Sequence, residues 1–429
     1  MAVISPPLEQ TFIQHFETLG STASFYTTRQ QAIQALQQQG LPIRKDEAYK
    51  YTPITNLLAE HVGRAQVPAP QQPLSRPVLH DLPAQHIRLH NGRLSTPPDV
   101  PKQVQMMTFQ EAYEQQHPAF LAHFAQHAKG TQDSLVALNT AFFEEGFFIY
   151  IPEHAVPDKP LVIDHYTTDS PNVLSITHPR LLIVAAPHSQ AHVITTWQGS
   201  GFTNAVAEVV VEDNARLDYY ILQTALAQEA GQIQTTQVHQ ASNSLFNAYT
   251  FTWSGALVRN NLYCMSDASH TETNMYGLYS LQGRQHVDNF TTVDHRQPHT
   301  YSNELYKGVM TEKATGVFNG RIYVRPVAQK TNAFQTNNNL VLSDEATLHT
   351  KPQLEIWADD VKCSHGATTG RLDAEQLFYL RARGIPYDTA CALLRQAFVS
   401  EVIDKVPLDA LKTWLQDSWT EPIIRCLCQ

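Results

Sequence analysis

What the 429-residue chain lacks narrows its class before any motif is read. It has only five cysteines, at 264, 363, 391, 426 and 428. An odd, scattered set makes no disulfide framework and suits a reducing compartment. No apolar run approaches the length of a membrane span, and the opening MAVISPPLEQTF has no basic stretch leading into an apolar one, so neither insertion nor secretion is expected. Positive charge is short too: 30 Lys and Arg stand against 40 Asp and Glu. A net charge of −10 disfavours a nucleic-acid footprint. There is no GxxxxGK[ST], GxGxxG, HExxH, CxxC or GxSxG, so phosphate-cradling, zinc-protease and serine-hydrolase chemistry find no framework.

What is present changes texture along the chain. Residues 27–39 carry Ala32, Ile33 and Leu36 at helical spacing and stop at Gly40 with Pro42 beyond, a punctuated helix end. Lys45 to Tyr51 is an amphipathic segment with two lysines and two tyrosines, and the composition assigns it no chemistry. VPAPQQPLSRP, 67–77, is a proline-rich linker. Asn91-Gly92 between alternating apolar residues is a hairpin signal. Residues 108–129 read as one helix with Phe109, Ala112, Tyr113, Phe120, Leu121 and Phe124 on a stripe; His117, His123 and His127 fall at surface spacing, as solvated or capping groups.

From about Phe147 to Asp360 short runs rich in Val, Ile, Thr and Tyr are broken by Asn, Gly or Pro at intervals near ten residues. With no amphipathic helix between them a βαβ sheet is excluded, leaving a sandwich, a barrel or a solenoid. Asn and Thr inside the strands, as in Asn337-Asn338-Asn339, favour a β-solenoid, whose stacked rungs let like side chains form hydrogen-bond ladders. No fixed repeat length is visible. The expected layout is a mostly helical region over 1–130, a β-helix core over 131–371 and a helical domain over 372–429. In the last of these Asp373 caps a first helix, Gln376 reaches back to it, Gly384 and Pro386 end it, and Ala390, Leu393, Leu394, Ala397, Phe398 and Val402 stripe a second. A short third helix is expected over 408–415.

The stretch KPQLEIWADDVKCSHGATTGRLD, 351–373, concentrates the chemistry. It reads as a last strand handing over to a helix, with Cys363 and His365 two residues apart and so on one face of an extended chain. Thiolate and imidazole suit zinc, copper(I) or iron with sulfide, but two ligands make half a site at most. A small buried cysteine beside a hydrogen-bonded histidine, or a Cys–His nucleophilic pair, are the other readings of the same spacing. Asp359-Asp360 point to opposite faces and read as turn or edge residues. Cys264 reads as buried and inert, and the Cys426/Cys428 pair as incidental.

The same stretch with EQLFYLRARGI after it, and GLPIRKDEAYKYTPI, SLVALNTAFFEEGFFIYIP, GVFNGRIYV and AQKTNAFQTNNNLVLS before it, resembles the SufB/SufD family of iron–sulfur cluster assembly subunits. The Gly366 that follows His365, and the absence of cysteine near Ile356, resemble the SufD side of that family more than the SufB side. The resemblance implies a β-helix between helical ends and a non-catalytic cytoplasmic scaffold. It implies pairing with SufB through the β-helix, docking of a SufC ATPase on the C-terminal helices, and a homodimer when alone. No cofactor is expected in the isolated chain, and a transient Fe–S cluster forms at the SufB–SufD interface. Carried onto this sequence, His365 would be a cluster ligand, with Cys363 secondary, and Leu377, Arg381, Leu394, Phe398 and Val402 candidates for the SufC contact. The rival readings are a β-solenoid enzyme acting on polysaccharide, and a homodimeric structural protein sharing a zinc site across its two-fold axis.

Overall fold

A computed structural model of the chain describes residues 8–18, 25–61, 76–168 and 176–425. Most of the proline-rich 67–77 stretch, and Cys426 and Cys428, lie outside these residues. The chain winds into a β-solenoid whose strands alternate between two ten-stranded sheets. Successive turns stack in parallel and in register, as in Leu257–Ser266 on His286–His295 on Thr315–Val324. Amide side chains bond both up and across the coil: Asn260 Nδ2 donates to Asn289 Oδ1 on the next turn at 3.0 Å, the kind of ladder expected, and Gln223 Nε2 of the first sheet donates to Asn260 Oδ1 of the second at 2.8 Å. In the low dielectric of the stack each amide satisfies the next, which an isolated buried amide cannot do.

From Leu161 onward one turn of the coil takes between 26 and 32 residues, the span from Gly231 to Leu257 at one extreme and from Thr315 to Thr347 at the other. What recurs is a conformation. One corner of successive turns is made by a residue at positive φ, at His154, His188, Asn214, Asn243, His270, His299 and Lys330. Asn and His tolerate the left-handed region better than bulkier side chains do. The stacked corners bring His154 onto His188, ring centroids 4.9 Å apart, and His270 onto His299 at 5.1 Å.

The coil starts earlier than the sequence suggests. Asn91 and Gly92 make the expected hairpin, both at positive φ, and its first strand, Gln85–His90, pairs in parallel with Leu161–Thr167 at the head of the first sheet. The expected helix over 108–129 is instead two short ones, Phe109–Glu114 and Pro118–His123. Pro118 disfavours helix in the residue before it, and the chain turns there with Gln116 at φ 52. Tyr113 and Leu121 are therefore exposed rather than on the stripe. His123 and His127 are not solvated caps: their rings lie within 3.0 Å of each other, and His127 packs on His239 at 3.9 Å.

The helix Tyr26–Gln39 ends at Gly40, as its punctuation indicates. With Leu8–Thr18 and Ser134–Phe142 it packs Phe12, Phe16, Leu36 and Leu138 onto Phe202 and Ile233 of the second sheet. At the other end of the chain come the helices Ala374–Ala382, Tyr387–Ile403 and Asp409–Arg425, the last much longer than expected. Val399, Val402, Ile403, Leu411 and Leu415 cover Tyr249, Leu278 and Leu305 of the first sheet.

Candidate functional site

The focal stretch 351–373 holds more than one strand before its helix. It begins within Thr347–Ile356, turns sharply over 357–361 with Asp359 and Asp360 in the bend, and returns as Lys362–Gly370. These are the terminal strands of the two sheets: Thr347–Ile356 pairs only with Thr315–Val324, and Lys362–Gly370 only with Asn332–Val341, among the described residues. Among the described residues the solenoid thus ends open, with two long strands whose outer backbone groups face no further strand. An unpaired edge is a template for another chain's strand.

Register fixes where the chemistry-bearing side chains sit. Cys363 is paired with Ala333 and His365 with Gln335, and both partners are buried inside the coil. Cys363 and His365 therefore share the inward-facing side of the last turn, as two residues of one strand at i and i+2 must. Their surroundings differ. Cys363 is half-covered by Ile322, Val324, Ala328, Ala333 and Ala358, and burial holds its thiol above the ordinary value, partly offset by a backbone hydrogen bond from Ala333. His365 is exposed, with no further turn over it among the described residues. A Cβ built on the neighbouring Gly366 would meet nothing within 4 Å. Among the described residues no group of three or more His, Cys, Asp and Glu is placed to hold a metal ion.

Beneath the open turn the interior is polar. Gln335 Nε2 donates to Glu304 Oε2 at 2.6 Å, and burial pushes the Glu304 carboxyl up to about 7. Gly320 leaves room for this pair: a Cβ there would fall 2.3 Å from Gln335 Nε2. Tyr279 donates to Asn339 Oδ1 at 2.5 Å, Asn339 to Asn337 Oδ1 at 2.7 Å and Thr350 to the same oxygen at 2.9 Å. Glu304 was not legible as a site neighbour, since it lies 61 positions before His365 in the chain and only the coil's register stacks them. Cys264 is fully buried, with its thiol raised by burial, and its sulfur lies 3.9 Å from that of Met275.

The C-terminal helices present the second surface. Asp373 caps Ala374–Ala382 by accepting from the amides of Glu375 and Gln376, but that helix buries none of its residues. Phe378 is 75% exposed and Tyr379 57%, beside an open groove of about 890 Å3 lined also by Leu380 and Leu394. Leu377, Leu394 and Phe398 are half-buried, and Arg381 is exposed with its guanidinium 5.6 Å above the Tyr387 ring. Val402 is different: it is fully buried against the first sheet and offers nothing to a partner. The exposed face of the second helix is nearer Leu393 than Val402.

Comparison with known proteins agrees with this architecture. The family pattern described as SUF system FeS cluster assembly, SufBD core domain, matches residues 166–398, and that of the SufBD protein N-terminal region matches 9–163. An iron–sulfur cluster assembly SufBD family protein of Synechocystis is 30% identical over 90% of this chain and 88% of its own length. The iron–sulfur cluster assembly protein SufD of Escherichia coli is 31% identical over 92% of both, and that of Bacillus subtilis 30% identical over 67% of this chain and 66% of its own length. With two family patterns covering nearly the whole chain and a solenoid of the expected kind, the chain belongs to the SufB/SufD family of the SUF iron–sulfur cluster assembly system.

Proposed function

We propose that this chain is a non-catalytic cytosolic scaffold subunit that builds half of a cluster-assembly site at the open end of its solenoid. The observation that carries the reading is the coincidence of two features there: both sheets end on unpaired strands, and the exposed His365 stands on one of them. A paralogous SufB chain pairs with those edges, or a second copy of this chain does so when SufB is absent. His365 supplies an imidazole to a nascent iron–sulfur cluster, the cargo of the complex, whose other ligands come from the partner. Cys363 is the secondary candidate, since burial keeps its thiol from ionising readily. Splitting the ligands between chains makes cluster binding depend on correct assembly.

The exposed face of Phe378, Tyr379 and Leu393 with its groove docks the SufC ATPase. It is an apolar patch on a helix that buries none of its residues against the described parts of the chain, the kind of surface that marks a partner site. Hydrolysis in that partner would move the C-terminal helices, and through Tyr387–Ile403, packed on the first sheet, the strands that lead to the open end. No helix among the described residues is long and apolar enough to cross a membrane.

The test is His365→Ala in the co-expressed complex. All subunits should co-purify in unchanged ratio while iron and sulfide bound after reconstitution fall by at least about tenfold, the loss expected when a metal site loses a ligand. Full cluster yield in that variant removes the role assigned to His365.

A further inference from the structure

The segment Glu47 to Thr52 belongs to the N-terminal family signature, yet the proposed function makes no use of it. Its short turn Glu47–Tyr49 lies across the outer face of the second sheet, over strands His286–His295, Thr315–Val324 and Thr347–Ile356. Tyr49 packs under the Arg259 guanidinium, 4.0 Å from its ring, and Tyr51 stacks on His349 at 3.9 Å and 11°. Thr52 donates to Asp288 Oδ2 at 2.5 Å, leaving its own oxygen to accept from His286 Nε2 at 3.1 Å. Between segment and sheet remains a cavity of about 230 Å3. Its sheet side carries Asp288 and Asn319, its loop side Lys50 and Tyr51, and its edge His349 and Lys351.

The two sheet residues are unfinished. Thr52 and Arg259 both bond Oδ2 of Asp288, and Oδ1 is buried with no donor. Asn319 Oδ1 is likewise bare. Asp288 is 1% exposed and Asn319 6%, so bulk water does not serve them. Asp288 is in register with Val317, which places Asn319 one strand over and two residues along, a diagonal neighbour on the same face within reach of a shared donor. A buried acceptor without a donor costs about 1–3 kcal/mol, and two side by side along one cavity call for an N–H or O–H group. The other side of the cavity carries two lysines, Lys50 and Lys351, and one carboxylate, Glu47. Lys50 stands 5.3 Å from the centre of the Tyr51 ring and in no ion pair among the described residues, Lys351 pairs with the exposed Glu47, and the Arg321 charge acts on that same carboxylate.

We propose that this cavity binds a small carboxylate bearing an amino or hydroxyl group on the neighbouring carbon, an α-amino or α-hydroxy acid. The donor goes to Asp288 Oδ1 and Asn319 Oδ1, and the carboxylate to Lys50 and Lys351. The volume suits a small metabolite rather than a nucleotide, being below the roughly 300–1,000 Å3 of drug-sized sites. Because His349 and Lys351 lie on the terminal strand Thr347–Ile356, an occupied cavity ties the N-terminal signature to the rim of the open end.

Titration of the full chain with L-alanine, L-lactate, propionate and ethylamine, followed by calorimetry and by NMR shifts of residues 47–52, tests this. L-alanine or L-lactate should bind saturably in the millimolar range or tighter, and which of them binds identifies the donor. Propionate, lacking the donor, and ethylamine, lacking the carboxylate, should bind at least tenfold more weakly. Lys50→Met, a surface change that leaves the fold intact, should weaken binding about tenfold, as should Asn319→Leu where circular dichroism shows it folded. Propionate matching L-alanine and L-lactate, no saturable binding of either acid, or binding unaltered in Lys50→Met overturns the proposal.

Discussion

Glu304, beneath the last turn, is a residue whose charge depends on being folded. Burial within the coil raises its carboxyl from 4.5 to about 7, with Gln335 donating to it. Between those values the native chain keeps a proton that the unfolded chain has released, so stability falls as pH rises through the window and the whole penalty is present above it. Glu304→Gln retains an acceptor for Gln335 and removes the charge. The variant should be more stable than the parent by roughly 3 kcal/mol at pH 8 and indistinguishable from it near pH 4. Urea unfolding at the two pH values checks this, and a gain of equal size at both would show that charge is not the cause. At this scale the Cys363/His365 pairing on one face was legible, because a strand's two-residue period needs no tertiary information. The contrast between a half-covered thiol and an open imidazole was not, since the cover comes from residues 322–333 and 358.

Elements were legible where their signals are local. Asp373, Gly40 and Asn91-Gly92 each end or begin an element through their own backbone or side-chain geometry, and each does so in the structure. The 108–129 segment failed because an apolar stripe outweighed Pro118, and because the sheet surface beneath accepts two short helices bent to follow it. The repeat was hidden because turns differ in length by several residues while the left-handed corner can be Asn, His or Lys. One element makes a clean experiment. Asp373→Ala removes a cap worth about 1 kcal/mol from a helix that buries no side chain of its own. Amide exchange over 374–382 should quicken about fivefold while the global unfolding midpoint stays put, and a shifted midpoint would mean that the helix is coupled to the core.

For the whole molecule, the decisive feature is an open rather than a capped coil. Strands Thr347–Ile356 and Lys362–Gly370 close the two sheets with their outer sides unpaired among the described residues. Lysine on an edge strand blocks strand addition because a desolvated ammonium has no partner there. Ser364→Lys with Thr368→Lys, both on the exposed strand Lys362–Gly370, should abolish association with the paralogous partner and with a second copy while leaving the circular dichroism of the coil unchanged. Size-exclusion chromatography with light scattering reads the outcome, and an intact dimer or heterodimer would place the interface elsewhere.

The mostly-β class, the caps and hairpin, and the placing of Cys363 with His365 on one face were readable from the amino-acid order, because each follows from short-range periodicity or from a residue's own backbone preference. Packing, in contrast, sets His365 in the open and seals Val402, lays Glu304 and Gln335 beneath the last turn, and brings Asp288 and Asn319 together below the N-terminal signature. Those neighbours are one or more full turns of the coil apart in the chain. Only the stacking of one turn on the next, set by the hydrogen-bond register, brings them together.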